Sequence, residues 1–107
     1  MVERIDSGII RNVEAFIEEV KKHYKVDFAI LFGSIVKGSS HADSDIDVAI
    51  VSNDVRNNFL DGLEMAKLRW DIDLRIEVHP INTVEYINNE TALINEIRNT
   101  GIPLFAT

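Results

Sequence analysis

Residues 28–51, FAILFGSIVKGSSHADSDIDVAIV, constrain the fold more than any other stretch of the chain. Phe28 to Phe32 is an unbroken apolar run that ends at Gly33-Ser34, the pattern of a buried strand entering a tight turn. Val48 to Val51 is a second apolar run, and Asp45 and Asp47 stand just before it. Side chains alternate along a strand, so these two acids project from one face. Carboxylates that close repel each other unless a positive charge lies between them, and a divalent cation on oxygen ligands is the economical solution. A Gly-Ser turn that opens a helix offers unpaired backbone N–H groups to an anion such as phosphate. The stretch therefore outlines a site for a metal-bound nucleotide. The bland alternatives are an Asp-rich turn entering a strand and a serine that only caps a helix.

Gly33-Ser34, followed after a polar loop by Asp45-Ile46-Asp47, resembles the signature of the nucleotidyltransferase superfamily that includes DNA polymerase β. The short chain is similar to its minimal nucleotidyltransferase (MNT) branch. Ile72-Asp73-Leu74-Arg75-Ile76 looks like the later strand that carries that family's third carboxylate, and Glu96 to Leu104 looks like the tail of minimal members. The resemblance spans roughly residues 9–105. It implies an α/β fold with a mixed sheet, and a metal site of Asp45, Asp47 and Asp73 for two Mg2+ ions, with Mn2+ as an alternative. Asp45 and Asp47 would bridge the ions, and Asp73 would bind the second and accept the proton of the attacking hydroxyl. Gly33, Ser34 and Lys37 would face the nucleotide phosphates.

The resemblance further implies transfer of a nucleoside monophosphate, with AMP from ATP the leading case, to a hydroxyl. Minimal members often serve as antitoxins whose partner is a helical HEPN-domain toxin, and the hydroxyl can belong to that partner. One departure weighs against full activity: many members carry a basic residue after the Gly-Ser, and this chain has Ile35. The alternative is a catalytically weak member that neutralises a partner by docking alone.

At 107 residues the chain is expected to form one domain, residues 1–107, with a single core. A net charge of −7 argues against broad nucleic-acid binding, which requires basic patches, but not against a nucleotide whose metal supplies the compensating charge. No apolar run approaches a membrane span, and the absence of cysteine is compatible with a cytoplasmic protein. A homo-oligomer stays open, because pattern alone does not separate core positions from an apolar interface.

Periodicity places a helix over 7–24, a strand over 27–32, a short helix over 34–39 and a strand over 45–51. A helix over 56–69 follows, with Phe59, Leu60, Leu63 and Ala66 inward. A strand over 71–78 carries Asp71, Asp73, Arg75 and Glu77 on one face and ends at Pro80. A last helix over 91–99 stops at Gly101, and Pro103 forbids its continuation. His41, Asp43, Glu77 and His79 read as loop or rim residues outside the site. Arg75 reads equally as a salt-bridge partner of Asp73 or a substrate contact.

Overall fold

The computed structural model describes residues 5–40 and 44–107. His41 and Asp43 lie outside the described residues. The sheet has four strands in the order β3-β2-β1-β4: Val26–Phe32 (β1), Ile46–Ser52 (β2), Ile76–Ile81 (β3) and Ile102–Ala106 (β4). β1 is antiparallel to β2 and to β4, whereas β2 and β3 run parallel, so the sheet is mixed as expected. The apolar runs of β1 and β2 occupy the two central positions. Both of their faces are covered, which is why they read as continuous rather than alternating.

One face is covered by the helix Ser7–Lys21 (α1), through Val13, Phe16, Ile17 and Val20, and by Met65 of the helix Asn58–Ala66 (α3). These side chains pack on Ala29, Leu31, Ile46, Val48, Ile50 and Ile76. Asp6 caps α1, accepting from the Gly8 N–H at 2.6 Å. The other face is covered by the short helix Thr83–Ile87 (α4) and the helix Ala92–Thr100 (α5). There Ile94 and Ile97 pack against Ile30, Phe32, Ala49, Val51 and Ile81. Each fully buried Val, Leu, Ile or Phe contributes about 1.5–3 kcal/mol from burial, so these two layers carry the fold.

Three expectations are corrected. The third strand spans 76–81 rather than 71–78; residues 70–75 form turns after a 3-10 segment at Lys67–Arg69, with the Ile72 and Asp73 N–H groups donating to Arg69 O. The inward face of α3 is not its most apolar one: Phe59, Leu60 and Leu63 are exposed, as is Trp70 beyond it. Met65 faces inward instead and Gly62 packs over Pro80, while Asp61 at the rim accepts from the Tyr24 hydroxyl at 2.8 Å. The last helix does end at Thr100, but Ile102–Ala106 adds a fourth strand, β4, to the three expected. Pro80 and Pro103 both lie on the outer strands, where a missing N–H need not break a ladder. Gly101 is extended rather than left-handed, and its role is space: a Cβ there would collide with Ile30 and stand 2.6 Å from Ile97 O.

Candidate active site

The parallel register of β2 and β3 assembles the site. Asp47 in β2 stands beside Phe32 of β1 on one side and Glu77 of β3 on the other. By strand alternation Asp47, Ala49 and Val51 share a face, and so do Glu77, His79 and Ile81. Ala49, Val51 and Ile81 lie under α5, so the acids are the uncovered end of the same face. His79 Nε2 is 3.1 Å from Asp47 Oδ1 and 3.6 Å from Glu77 Oε1. Its ring meets Phe32 edge-on, with centroids 5.0 Å apart. One donor atom from each of Asp47, Glu77 and His79 lies within 4.8 Å of the others, a spacing that a single ion can span.

Asp45 lies just outside β2 and is exposed. Its carboxylate lies close to that of Glu77. That contact is the main reason the Glu77 carboxyl is held above its ordinary 4.5; partial burial and the charges of Asp47 and Asp45 add to it, and His79 opposes. Carboxylates gathered this closely are short of positive charge. A divalent cation would supply it, so the donor set fits the metal that the fold implies.

Asp73 is elsewhere. It precedes β3, and Arg75 grips its carboxylate through Nε at 3.0 Å and Nη2 at 2.8 Å, with the Arg75 N–H adding a third bond. Asn12 of α1 donates to Asp73 Oδ2 at 3.0 Å, so this acid belongs to the α1 side of the sheet. The Arg75 side chain is the first cause that lowers the Asp73 carboxyl from 3.8 to about 2. Among the described residues, the group able to share an ion contains Glu77 and His79 where the sequence pointed to Asp73. The missing signal is register: Glu77 stands between Ile76 and Val78, and the strand that must border Asp47 begins only at Ile76.

Gly33 ends β1 with φ +83° and ψ −153°, a conformation open essentially to glycine alone. A Cβ at this position would run into Asp47 Oδ2. The turn is thus pressed against the acid cluster. Ser34–Lys37 (α2) follows as a single helical turn, whose leading N–H groups have no partner within the helix. Ile35 and Val36 are half-buried against the core. Lys37 Nζ lies 3.2 Å from Glu96 Oε2 of α5 in a solvent-exposed ion pair.

Residues 14–107 match the family described as Polymerase beta, Nucleotidyltransferase. A search of curated proteins finds no match. Among solved structures, one described as a toxin–antitoxin with AMP-PNP is 25% identical with a TM-score of 0.62, covering 94% of this chain and 73% of that one. The toxin–antitoxin MntA–HepT is 23% identical with a TM-score of 0.61, covering 90% of this chain and 71% of its own. A tri-AMPylated Shewanella oneidensis HEPN toxin in complex with MNT antitoxin is 19% identical, TM-score 0.52, over 90% of this chain and 73% of that one. The last two likenesses bear on the fold alone. With the family match running from residue 14 to residue 107 and structural neighbours that include MntA–HepT and a HEPN toxin with its MNT antitoxin, the chain belongs to the polymerase beta nucleotidyltransferase family.

Proposed function

We propose that the chain is a divalent-cation-dependent nucleotidyltransferase that transfers AMP from ATP to a hydroxyl of a helical HEPN-type partner protein. The observation that carries the reading is the convergence of Asp45, Asp47 and Glu77 on the spot where Gly33 leaves room for no side chain. Asp45, Asp47 and Glu77 hold the cation, which when bound neutralises phosphate charge and makes the attacking hydroxyl more acidic. Gly33 lets the triphosphate approach the backbone, and Ser34 offers its hydroxyl and N–H to a phosphate oxygen. Glu77, at the rim of the acid cluster, takes the proton of the hydroxyl. The hydroxyl oxygen bonds to the α-phosphorus of ATP, the bond from that phosphorus to the bridging oxygen breaks, and pyrophosphate leaves.

AMP as the transferred group and a HEPN protein as acceptor are supported by the neighbours, one with AMP-PNP and one whose toxin carries AMP. The test is to mix the chain with a HEPN-domain protein, ATP and Mg2+, and weigh that protein by intact mass spectrometry. Addition of AMP, absent with the Asp47→Asn variant, supports the reading; an unmodified partner that is nonetheless bound and neutralised supports docking alone. That second reading draws on one observation, that Lys37, the cation of the turn, is paired with Glu96.

A further inference from the structure

We propose that His79 is a nitrogen ligand of the cation site, and that the site therefore prefers a first-row transition ion such as Mn2+ to Mg2+. The inference rests on the reading that the Asp47–Glu77 cluster holds a cation, and it concerns which ion and through which atoms. An octahedral ion with metal–ligand bonds of about 2.1–2.2 Å holds neighbouring donors about 3 Å apart. His79 Nε2 stands 3.1 Å from Asp47 Oδ1 and 3.6 Å from Glu77 Oε1, close to that edge length on both sides. The imidazole is also fixed in place. His79 sits on the same strand as Glu77, on the same face, and its ring is braced edge-on by Phe32. A donor carried by a packed strand keeps its position better than one carried by a loop.

The Nε2 atom has one lone pair or one proton to offer, and the two uses exclude each other. With the proton on Nε2, His79 only donates to Asp47 and steadies that carboxylate. With the proton on Nδ1, the Nε2 lone pair joins the Asp47 and Glu77 oxygens around the ion. Mg2+ takes oxygen ligands and sheds its water reluctantly, so an imidazole adds little to its binding. Mn2+ also accepts carboxylates and, although the lowest of the first-row series, binds an imidazole nitrogen better than Mg2+ does. The mixed oxygen and nitrogen set therefore separates the two ions, which an all-carboxylate site does much less.

The experiment uses the chain without nucleotide and Mn2+ as the probe. Electron paramagnetic resonance counts free Mn2+ during titration, and spin-echo modulation reports nitrogen bonded directly to the bound ion. The proposal expects nitrogen modulation in the native protein and its loss in His79→Ala and His79→Asn. It also expects the Mn2+ Kd to rise about tenfold or more in those variants while the Mg2+ Kd, read by competition, moves much less. Bound Mn2+ without nitrogen modulation, modulation that survives both substitutions, equal losses for the two ions, or no Mn2+ binding at millimolar concentration would each overturn it. Absence of nitrogen modulation in the native protein refutes the proposal by itself, and circular dichroism of both variants ensures that a loss of modulation is read only from a folded chain. Nitrogen-ligated Mn2+ in a protein that transfers no nucleotide would remove the proposed function and leave this inference standing.

Discussion

Replacing Asp73 by Asn tests the division of labour between the two acids that lie near the start of β3. Asparagine mimics the protonated carboxyl, so the cost of the change follows from how strongly the fold favours the charged form. A carboxyl held at about 2 against an ordinary 3.8 corresponds to about 2 kcal/mol of folding stability at neutral pH. Asp73 itself is 7% exposed, but the Arg75 side chain is 39% exposed and screened by water, which brings the expected loss to between about 1 and 2 kcal/mol. For a domain of this size that lowers Tm by roughly 4–8 °C. The folded carboxyl lies below the unfolded one, so the stabilisation is complete above pH ~4 and disappears as pH falls through ~2. Thermal melts of both proteins from pH 7 to pH 2 should show the gap closing over that acid window, with Mg2+-ATP binding at pH 7 unchanged. A variant as stable as the native protein that has lost ATP binding would refute the reasoning, because Asp73 would then serve the site and not the scaffold.

Gly33→Ala should lower nucleotide binding and cost on the order of 1–3 kcal/mol, since the positive-φ backbone and the collision with Asp47 Oδ2 both oppose a Cβ; calorimetry and urea melts read the two effects separately. On α3, Met65→Ala should cost about 2–5 kcal/mol, whereas Leu63→Glu, at a position 50% exposed, should stay within about 0.5 kcal/mol; equal losses would contradict the observed orientation of the helix. Glu96→Gln should free Lys37 and lower the apparent KM for ATP, and Lys37→Ala should raise it; a KM indifferent to both would make the pair a surface contact only.

Much of this architecture is legible in the residues themselves. The apolar runs before Gly33 and after Asp47 announce two central strands, and the spacing of Asp45 and Asp47 announces a shared face. The start of the third strand is hidden because Asp71, Asp73, Arg75 and Glu77 alternate without a break, although the chain is in a turn until Arg75. Period two belongs to strands, but a few charged residues in a turn can imitate it. The α3 face is misleading for a different reason. Phe59, Leu60 and Leu63 do form an apolar face, yet periodicity cannot say whether a core lies against it. Here the core lies against Met65, and Gly62 fits against Pro80. The last strand is masked by Pro103, a residue that rules out a central strand but not an outer one. His79 carries no signal as a lone histidine beyond a strand, and gains one only when the strand is extended to include it.

The most direct test of the account is calorimetric titration of ATP with Mg2+ into the native protein, Glu77→Gln and Asp73→Asn. The account predicts Mg2+-dependent binding in the native protein and in Asp73→Asn, and a loss of at least about tenfold in Glu77→Gln, one order in affinity for about 1.4 kcal/mol. Full binding by Glu77→Gln together with loss in Asp73→Asn would contradict it and return the third carboxylate to Asp73.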